Sequence, residues 1–265
     1  MARRVLAGDG APGNVVLDLD GCVYVGSEPV AGARDALEAI RDAGFSVVFA
    51  TNNSTRTPEA VAGRLEEITG FGIEPHRVVT SALAAVLMLR EGDAPVLPIG
   101  EAGLVAAVVD ANLEVTEAPG AANTVIVGLD RAISYDRIRR ASHAVINGAR
   151  FIGTNHDPTF PTSSVPAPGA GSIIAAVERA GGRGAEYAGK PHPPMRLAVE
   201  QHLGPGPTWM VGDRPDSDIA FGRRAGWTTV LVQTGVAPDP KSLSGEEKPD
   251  HLLPTVAGLP GLLGI

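Results

Sequence analysis

The sequence has little cysteine, few basic residues and no long apolar runs. Its single cysteine, Cys22, cannot form a disulfide within the chain. Such a composition suits a reducing compartment, so we expect a cytoplasmic protein. The 22 Lys and Arg residues are outnumbered by 30 Asp and Glu residues, and no segment carries a basic stripe, which argues against nucleic acid as a partner. No stretch approaches the roughly 20 apolar residues of a membrane-spanning helix, so we expect no membrane partner either.

A signal peptide is also not expected. Residues 1–4 carry positive charge, but the glycine-rich segment 8–13 follows them in place of an apolar run. The hydrophobic content of 44% is typical of a soluble globular protein. A chain of 265 residues is long enough for one large domain or two modest ones.

Predicted strands and helices alternate along nearly the whole chain. Short apolar runs predict buried strands, and apolar residues recurring every three or four positions predict helices. Ala33, Leu37 and Ile40, for example, share one face of a predicted helix that Gly44 ends. This alternation predicts an α/β protein with mostly parallel sheets covered by helices. The predicted strands are 15–19, 45–50, 78–80, 96–99, 113–116, 124–127, 151–154, 208–211 and 228–232, and the predicted helices are 31–43, 58–68, 81–90, 102–110, 135–146, 171–180, 194–202 and 216–225.

The alternation breaks once, between the predicted strands 113–116 and 124–127, which have no helix between them. This break suggests a second sheet, and about ten α/β elements would be many for one sheet. We therefore predict a core domain of residues 1–82 plus 189–265 and a second α/β domain inserted at 83–188. The alternative is one continuous wound sheet.

Two carboxylates follow the first predicted strand. Asp18 and Asp20 are one residue apart, which places them on the same side of an extended chain, and Gly21 then allows a sharp turn. Ligands bind at the carboxyl ends of strands in open α/β sheets. Two carboxylates there repel each other unless a proton or a cation lies between them, so the pair predicts a metal site, an acid/base role, or both. Aspartates that merely end a strand are the alternative.

A polar cluster, Thr51-Asn52-Asn53-Ser54, follows the second predicted strand. All four side chains can donate a hydrogen bond and none is charged, which suits the oxygens of a phosphate. The next helix adds its positive end. A polar turn with a helix cap would have the same composition.

Two further motifs lie towards the end of the chain. Lys190 is followed by Pro191 and Pro193, and the prolines restrict the backbone around a lysine that could hold a phosphate and a carboxylate nucleophile. Asp213 follows a buried strand as Asp18 does, and Asp218 lies in the helix that begins just after it. A solvent-exposed lysine and acids that interact only with a helix dipole are the alternatives.

These four motifs, in this order, resemble those of the haloacid dehalogenase superfamily of aspartyl-nucleophile phosphatases. The longer segments Asp-Gly-Cys-Val-Tyr-Val-Gly, Thr-Asn-Asn-Ser, residues 153–161, Gly-Lys-Pro and Val-Gly-Asp-Arg-Pro-Asp-Ser-Asp-Ile are similar to the NagD-type or p-nitrophenyl-phosphatase-like subgroup. The resemblance covers nearly the whole chain and implies a Rossmann-like parallel-sheet core with an inserted, smaller α/β cap. Departures such as Cys22 and Ser217 do not touch the residues that carry chemistry.

The resemblance also implies a mechanism and a cofactor. Asp18 would be the nucleophile that forms an aspartyl phosphate, Asp20 the general acid and base, and Lys190 a catalytic cation. Mg²⁺ would be bound by Asp18, by the main-chain carbonyl of Asp20 and by Asp213, with Asp218 behind them.

Polar side chains that follow predicted strands are the expected substrate contacts. Thr51, Asn52 and Asn53 would bind phosphate oxygens. Asn155 and His156, at the end of a cap strand, would face the leaving group, although a purely structural turn is an alternative there.

We thus expect hydrolysis of small-molecule phosphomonoesters, and the sequence leaves open a homodimer through the cap. Three alternatives remain. A non-catalytic phosphate-ligand-binding protein of the same fold would have no use for an acid two residues from a nucleophile. A dehalogenase would not need the acids at Asp20 and Asp213. A phosphomutase differs in the shape of its cap, which the sequence does not reveal.

Overall fold

The computed structural model describes residues 12–160, 165–235, 239 and 242–265. Residues 1–11, at the start of the chain, and the last residue of the segment 153–161 lie outside these ranges. The chain divides into two compact units: Met1–Ala50 with Val61–Val78 and Val199–Ile265, and Thr51–Ala60 with Val79–Ala198. The predicted insertion at 83–188 falls within the second unit and stays a prediction.

The described residues form short strands and helices in alternation. The strands are β1 (Asn14–Leu17), β2 (Tyr24–Val25), β3 (Glu28–Pro29), β4 (Ser46–Thr51), β5 (Val78–Thr80), β6 (Val96–Ile99), β7 (Thr124–Val127), β8 (Arg150–Gly153), β9 (Thr159–Phe160), β10 (Ala167–Pro168), β11 (Glu186–Tyr187), β12 (Thr208–Gly212), β13 (Thr228–Val232) and β14 (His251–Leu253). The helices are α1 (Ala33–Asp42), α2 (Pro58–Thr69), α3 (Ser81–Val86), α4 (Ala102–Asp110), α5 (Tyr135–Ile146), α6 (Ala170–Gly181), α7 (Pro193–Glu200), α8 (Ala220–Ala225) and α9 (Leu259–Leu263).

The sheet of the first unit has the strand order β14-β13-β12-β1-β4-β5. Its edge strand β5 begins at Val78, which is the last residue of the segment Val61–Val78. β1 lies between β12 and β4 and is parallel to both, with Leu17 opposite Val211 and Phe49. All four residues of β1 are buried, as expected for a strand covered on both faces. Because parallel strands end at one edge of the sheet, the residues that follow β1 and β12 emerge side by side.

The second unit has its own parallel sheet, in the order β11-β8-β7-β6. Its core contains Val125 and Phe151 from the strands, Val145 from α5, and Ile174 and Val177 from α6. Both units therefore confirm the predicted α/β class with parallel sheets. No described helix is long and apolar enough to cross a membrane.

Most predicted elements are confirmed within a few residues, but the strand at 113–116 is wrong. Only Val115 pairs, in a single bridge with Val96. The Thr116 hydroxyl then accepts a hydrogen bond from the Ala118 main-chain N–H (3.1 Å), which turns the chain away from the sheet. The helix predicted at 81–90 ends at Val86, because the following residues form tighter turns such as Leu89 N–H to Val86 C=O (3.0 Å).

Candidate functional site

Three buried carboxylates form a cluster in the first unit. Asp18 follows β1, Asp213 follows β12, and Asp218 lies in the π-helical turn Pro215–Ile219. These three residues are 8%, 0% and 1% exposed, respectively. One carboxylate oxygen of each lies within 4.8 Å of those of the other two. The register of β1 and β12 brings the first two together, because the Asp18 main-chain N–H donates to the Val211 carbonyl at 2.9 Å.

Three glycines make room for this cluster. A Cβ built on Gly21 would lie 2.5 Å from the Asp213 Oδ2 atom. A Cβ on Gly235 would overlap the same carboxylate, and a Cβ on Gly212 would overlap that of Asp218. The Asp218 carboxylate is also oriented by the Arg214 main-chain N–H, which donates to its Oδ2 atom at 3.0 Å. The carboxylates are thus packed against bare backbone and have little freedom to separate.

The cluster fits a divalent cation. Ionised carboxylates taken out of water and placed this close repel one another, and a cation among them reverses the sign of that interaction. Carboxylate and carbonyl oxygens are the ligands that Mg²⁺ prefers. Asp18, Asp213 and Asp218 provide such oxygens on parts of the chain that the strands β1 and β12 hold in place.

Asp20 lies outside this group of three side chains and is exposed at the turn after β1. The turn is closed by the Gly21 main-chain N–H, which donates to the Tyr24 carbonyl at 2.7 Å. Burial raises the pKa of the Tyr24 phenol, and the negative charges of Asp20 and Asp18 raise it further. The phenol is therefore neutral around pH 7. Asp20 is two residues from Asp18 in the chain and, unlike Asp18, is exposed to solvent.

The second unit contains the other predicted residues. Thr51 is buried and ends β4, and its hydroxyl oxygen accepts a hydrogen bond from the Asn53 main-chain N–H (3.1 Å). The Asn53 side-chain oxygen accepts from both the main-chain N–H (2.9 Å) and the hydroxyl (2.7 Å) of Thr55. These bonds fix the polar turn predicted at 51–54. They leave the hydroxyl hydrogen of Thr51 and the amide nitrogen of Asn53 as donors.

Lys190 comes shortly after β11 and is 1% exposed. A fully buried lysine is rare in proteins unless its charge is paired. Its main-chain N–H donates to the Asn52 Oδ1 atom at 2.8 Å, and its carbonyl accepts from the Asn52 Nδ2 atom at 3.2 Å. The predicted turn at 51–54 and the predicted lysine are therefore in direct contact.

The loop after β8 joins the same group. Asn155 is 4% exposed and its Nδ2 atom donates to the Asn52 carbonyl at 2.7 Å. The Asn155 side-chain oxygen accepts from the Asp157 main-chain N–H at 3.0 Å. Within the second unit the structure thus brings Asn52, Lys190 and Asn155 together, as Asp18, Asp213 and Asp218 are brought together in the first.

His156 is part of an aromatic cluster that the sequence did not reveal. Its ring centroid lies 5.9 Å from that of Tyr187 and 5.3 Å from that of His192, and the rings of Tyr187 and His192 stack at 5.5 Å. The Nδ1 atom of His156 is buried without a hydrogen-bond partner among the described residues. Burial, and then the neighbouring Glu178 carboxylate, raise the pKa of Tyr187 to about 12. The only signal in the sequence was that Tyr187 and His192 flank the Gly-Lys-Pro motif.

Comparisons with known proteins place the chain in a family. A sequence profile described as haloacid dehalogenase-like hydrolase matches residues 15–114, and a second, for HAD-hydrolase-like proteins, matches residues 187–259. The acid sugar phosphatase of Staphylococcus aureus is 36% identical over 226 residues, which are 84% of this chain and 86% of that protein.

Two solved structures are similar over nearly the whole chain. The glycerol phosphate phosphatase of Mycobacterium tuberculosis, in complex with magnesium, superposes with a TM-score of 0.85 at 31% identity and covers 93% of this chain and 75% of that one. NagD of Escherichia coli K-12 superposes with a TM-score of 0.82 at 32% identity, over 92% of this chain and 96% of that one. The similarity therefore includes both units of the chain.

Proposed function

Because this chain belongs to the haloacid dehalogenase-like hydrolases, we propose that it is a Mg²⁺-dependent phosphatase that hydrolyses small-molecule phosphomonoesters. The cluster of buried carboxylates formed by Asp18, Asp213 and Asp218 is the observation that carries this proposal. The names of its relatives support it, since they include an acid sugar phosphatase and a glycerol phosphate phosphatase with bound magnesium.

In this proposal the carboxylates of Asp18 and Asp213 and the main-chain carbonyl of Asp20 hold the magnesium ion. Asp218, oriented by the Arg214 N–H, completes the acidic surroundings. When bound, the ion neutralises negative charge and so lets an anionic carboxylate approach an anionic phosphate. The glycines packed against Asp213 and Asp218 hold these carboxylates in position.

Asp18 is the nucleophile. One of its carboxylate oxygens attacks phosphorus, a new O–P bond forms, and the bond between phosphorus and the leaving oxygen breaks. Asp20 gives its proton to the departing alkoxide. Asp20 then takes a proton from the water whose oxygen attacks the aspartyl phosphate, which releases phosphate and restores the Asp18 carboxylate.

We further propose that Thr51, Asn53 and Lys190 bind oxygens of the phosphoryl group. The Thr51 hydroxyl, the Asn53 amide nitrogen and the Lys190 ammonium are donors, and phosphate oxygens accept hydrogen bonds. Charge spreads over these oxygens in the transition state, so donors fixed in advance stabilise it more than they stabilise the substrate. The buried side chain of Lys190 suits this role because a desolvated charge interacts strongly with an anion.

Residues 83–188 form the cap that selects the substrate by its leaving group. Asn155 and His156 of this cap contact the leaving group. The ring cluster of His156, Tyr187 and His192 supports this assignment, because these partly buried imidazole and phenol rings lie at or just after the carboxyl ends of β8 and β11. Such a surface suits the hydroxyl groups and carbon skeleton of a small organic phosphate.

The test is a panel of phosphorylated metabolites and p-nitrophenyl phosphate scored for phosphate release. We expect activity that a chelator abolishes and Mg²⁺ restores, with Ca²⁺ inhibiting because its larger and looser ligand shell misplaces the phosphate. Asp18→Asn should abolish release while the fold persists, since the amide cannot attack phosphorus. Full activity in excess chelator, or activity of Asp18→Asn within about tenfold of the wild type, would contradict the mechanism.

A further inference from the structure

Among the residues that the structure describes, the side chain of Asn52 makes three hydrogen bonds, all to protein groups. Its Nδ2 atom donates one hydrogen to the Lys190 carbonyl (3.2 Å) and the other to the Asp157 Oδ2 atom (3.0 Å). Its Oδ1 atom accepts from the Lys190 main-chain N–H (2.8 Å). A carboxamide has two N–H hydrogens, so both donors of Asn52 are in use.

Because both of its N–H hydrogens are in use, the role of the Asn52 side chain is restricted. Phosphate oxygens only accept hydrogen bonds, and the Asn52 side chain has no hydrogen left to give them. Thr51 differs, because its hydroxyl accepts from Asn53 and keeps its own hydrogen. We propose that Asn52 is a positioning residue that holds Lys190 in the orientation needed for phosphoryl transfer, and that its side chain does not bind the phosphate. This inference rests on the proposed function, in which Lys190 binds the transferring phosphoryl group.

The two bonds to Lys190 have a specific consequence for its backbone. They engage the N–H and the C=O of one residue, so the peptide groups on both sides of its Cα are fixed. The backbone then sets the direction of the Cα–Cβ bond of Lys190, whether or not a phosphate is bound. This matters because a lysine side chain has many rotamers, and restricting them to one carries an entropic cost.

The close approach of Asn52 to this backbone explains the glycine before the lysine. A Cβ built on Gly189 would lie 2.5 Å from the Asn52 Oδ1 atom and 2.6 Å from the Thr154 carbonyl. The Gly189 N–H donates to that carbonyl at 2.7 Å. A larger residue at 189 would therefore push the Asn52 amide away from Lys190.

Asn52 is itself anchored. Its main-chain carbonyl accepts from the Asn155 Nδ2 atom (2.7 Å) and from the Ser81 hydroxyl (2.7 Å). Its Nδ2 atom reaches Asp157 in the same loop as Asn155. The loop after β8, which we propose to contact the leaving group, thus supports the residue that orients Lys190.

The test is a double-mutant cycle between Asn52 and Lys190, with kcat/KM for p-nitrophenyl phosphate as the readout. Asn52→Ala should lower kcat/KM about 10²-fold, a typical effect when a catalytic group is misplaced by about 1 Å. In a Lys190→Met background, the same Asn52→Ala change should lower kcat/KM by less than about threefold. The effects of two substitutions are not additive when one residue acts through the other.

Asn123→Ala is the matched control. Asn123 lies in the same unit and also donates its amide hydrogens to two main-chain carbonyls, those of Gly92 (3.1 Å) and Ala94 (2.5 Å). Asn123→Ala should lower the unfolding temperature. In each background it should leave kcat/KM near that of the same protein without the Asn123 substitution. If Asn52→Ala does not fold, Asn52→Asp replaces it, since it keeps the acceptor for the Lys190 N–H and the side-chain size but loses both donors.

Three outcomes are distinguishable. Equal losses for the Asn52 change in the two backgrounds, or a folded Asn52→Ala protein with near-normal kcat/KM, would overturn the inference and leave the proposed function intact. A wild-type protein that releases no phosphate from any substrate would instead refute the proposed function. A large loss confined to the background that contains Lys190 would support the positioning role.

Discussion

The Gly21→Ala substitution tests whether the packing of backbone against Asp213 sets the metal site. Gly21 has a φ of +89°, and the added Cβ would lie 2.5 Å from the Asp213 Oδ2 atom. That oxygen must recede by about 0.9 Å, from 2.5 Å to the 3.4 Å of an ordinary contact. Mg²⁺ demands oxygen ligands at roughly 2.0–2.1 Å in near-octahedral geometry, so a shift of this size removes or strains one ligand.

Gly21→Ala is expected to lower both the stability of the fold and the affinity for Mg²⁺. A substitution at a second glycine distinguishes these two effects. The left-handed backbone at Gly21 should cost an alanine about 1–2 kcal/mol of stability. Gly26, in the turn between β2 and β3, has a φ of +63° and nothing within 4 Å of an added Cβ. Gly26→Ala should therefore lose similar stability and keep its metal site, whereas Gly21→Ala should bind Mg²⁺ about 10- to 100-fold more weakly.

The assay is phosphate release as a function of Mg²⁺ concentration for the wild type and both variants, with thermal unfolding recorded in the same buffers. The concentration for half-maximal rate should rise for Gly21→Ala alone. If the two alanine variants show the same dependence on Mg²⁺, then Asp213 is not a ligand whose position depends on Gly21, and the reasoning fails.

Three further predictions concern single side chains. Asp20→Asn keeps its main-chain carbonyl but loses proton transfer, so the rate should fall roughly 10²–10⁴-fold on alkyl phosphates and less on p-nitrophenyl phosphate; an equal loss on both would mean a structural role. His156→Ala should change the ranking among small organic phosphates more than the rate on p-nitrophenyl phosphate, and an unchanged ranking would exclude His156 as a substrate contact. Burial, and then the charges of His76 and Arg77, lower the pKa of His202. The unfolded chain therefore takes up this proton first, and stability should fall as pH drops below about 6.5; His202→Gln should flatten that slope in urea titrations at several pH values, and an unchanged slope would contradict it.

Much of the fold was predictable because its signals are local. The strands β6, β7 and β13 and the helices α4 and α5 begin and end where their apolar patterns predicted. The strand at 113–116 was predicted from the same kind of pattern and is wrong, since pairing depends on whether a neighbouring strand is available along its length.

Short edge strands were missed for a related reason. β11 and β14 are two and three residues long and only partly buried. Their apolar patterns are too short to be distinguished from loops. Only the neighbouring strands β8 and β13, to which they pair, make them strands.

Local sequence patterns were enough to predict the order of the strands and helices, the acids that follow β1 and β12, and the polar turn at the end of β4. Which of these polar groups meet depends on the folded chain. It gathered Asp18, Asp213 and Asp218 and left Asp20 exposed. It also turned the amide of Asn52 to the backbone of Lys190, 138 residues further along the chain. The physical reason is that strand register and hydrogen-bond partners depend on contacts between chain segments that are distant in sequence. Composition and periodicity describe only residues that are close in sequence.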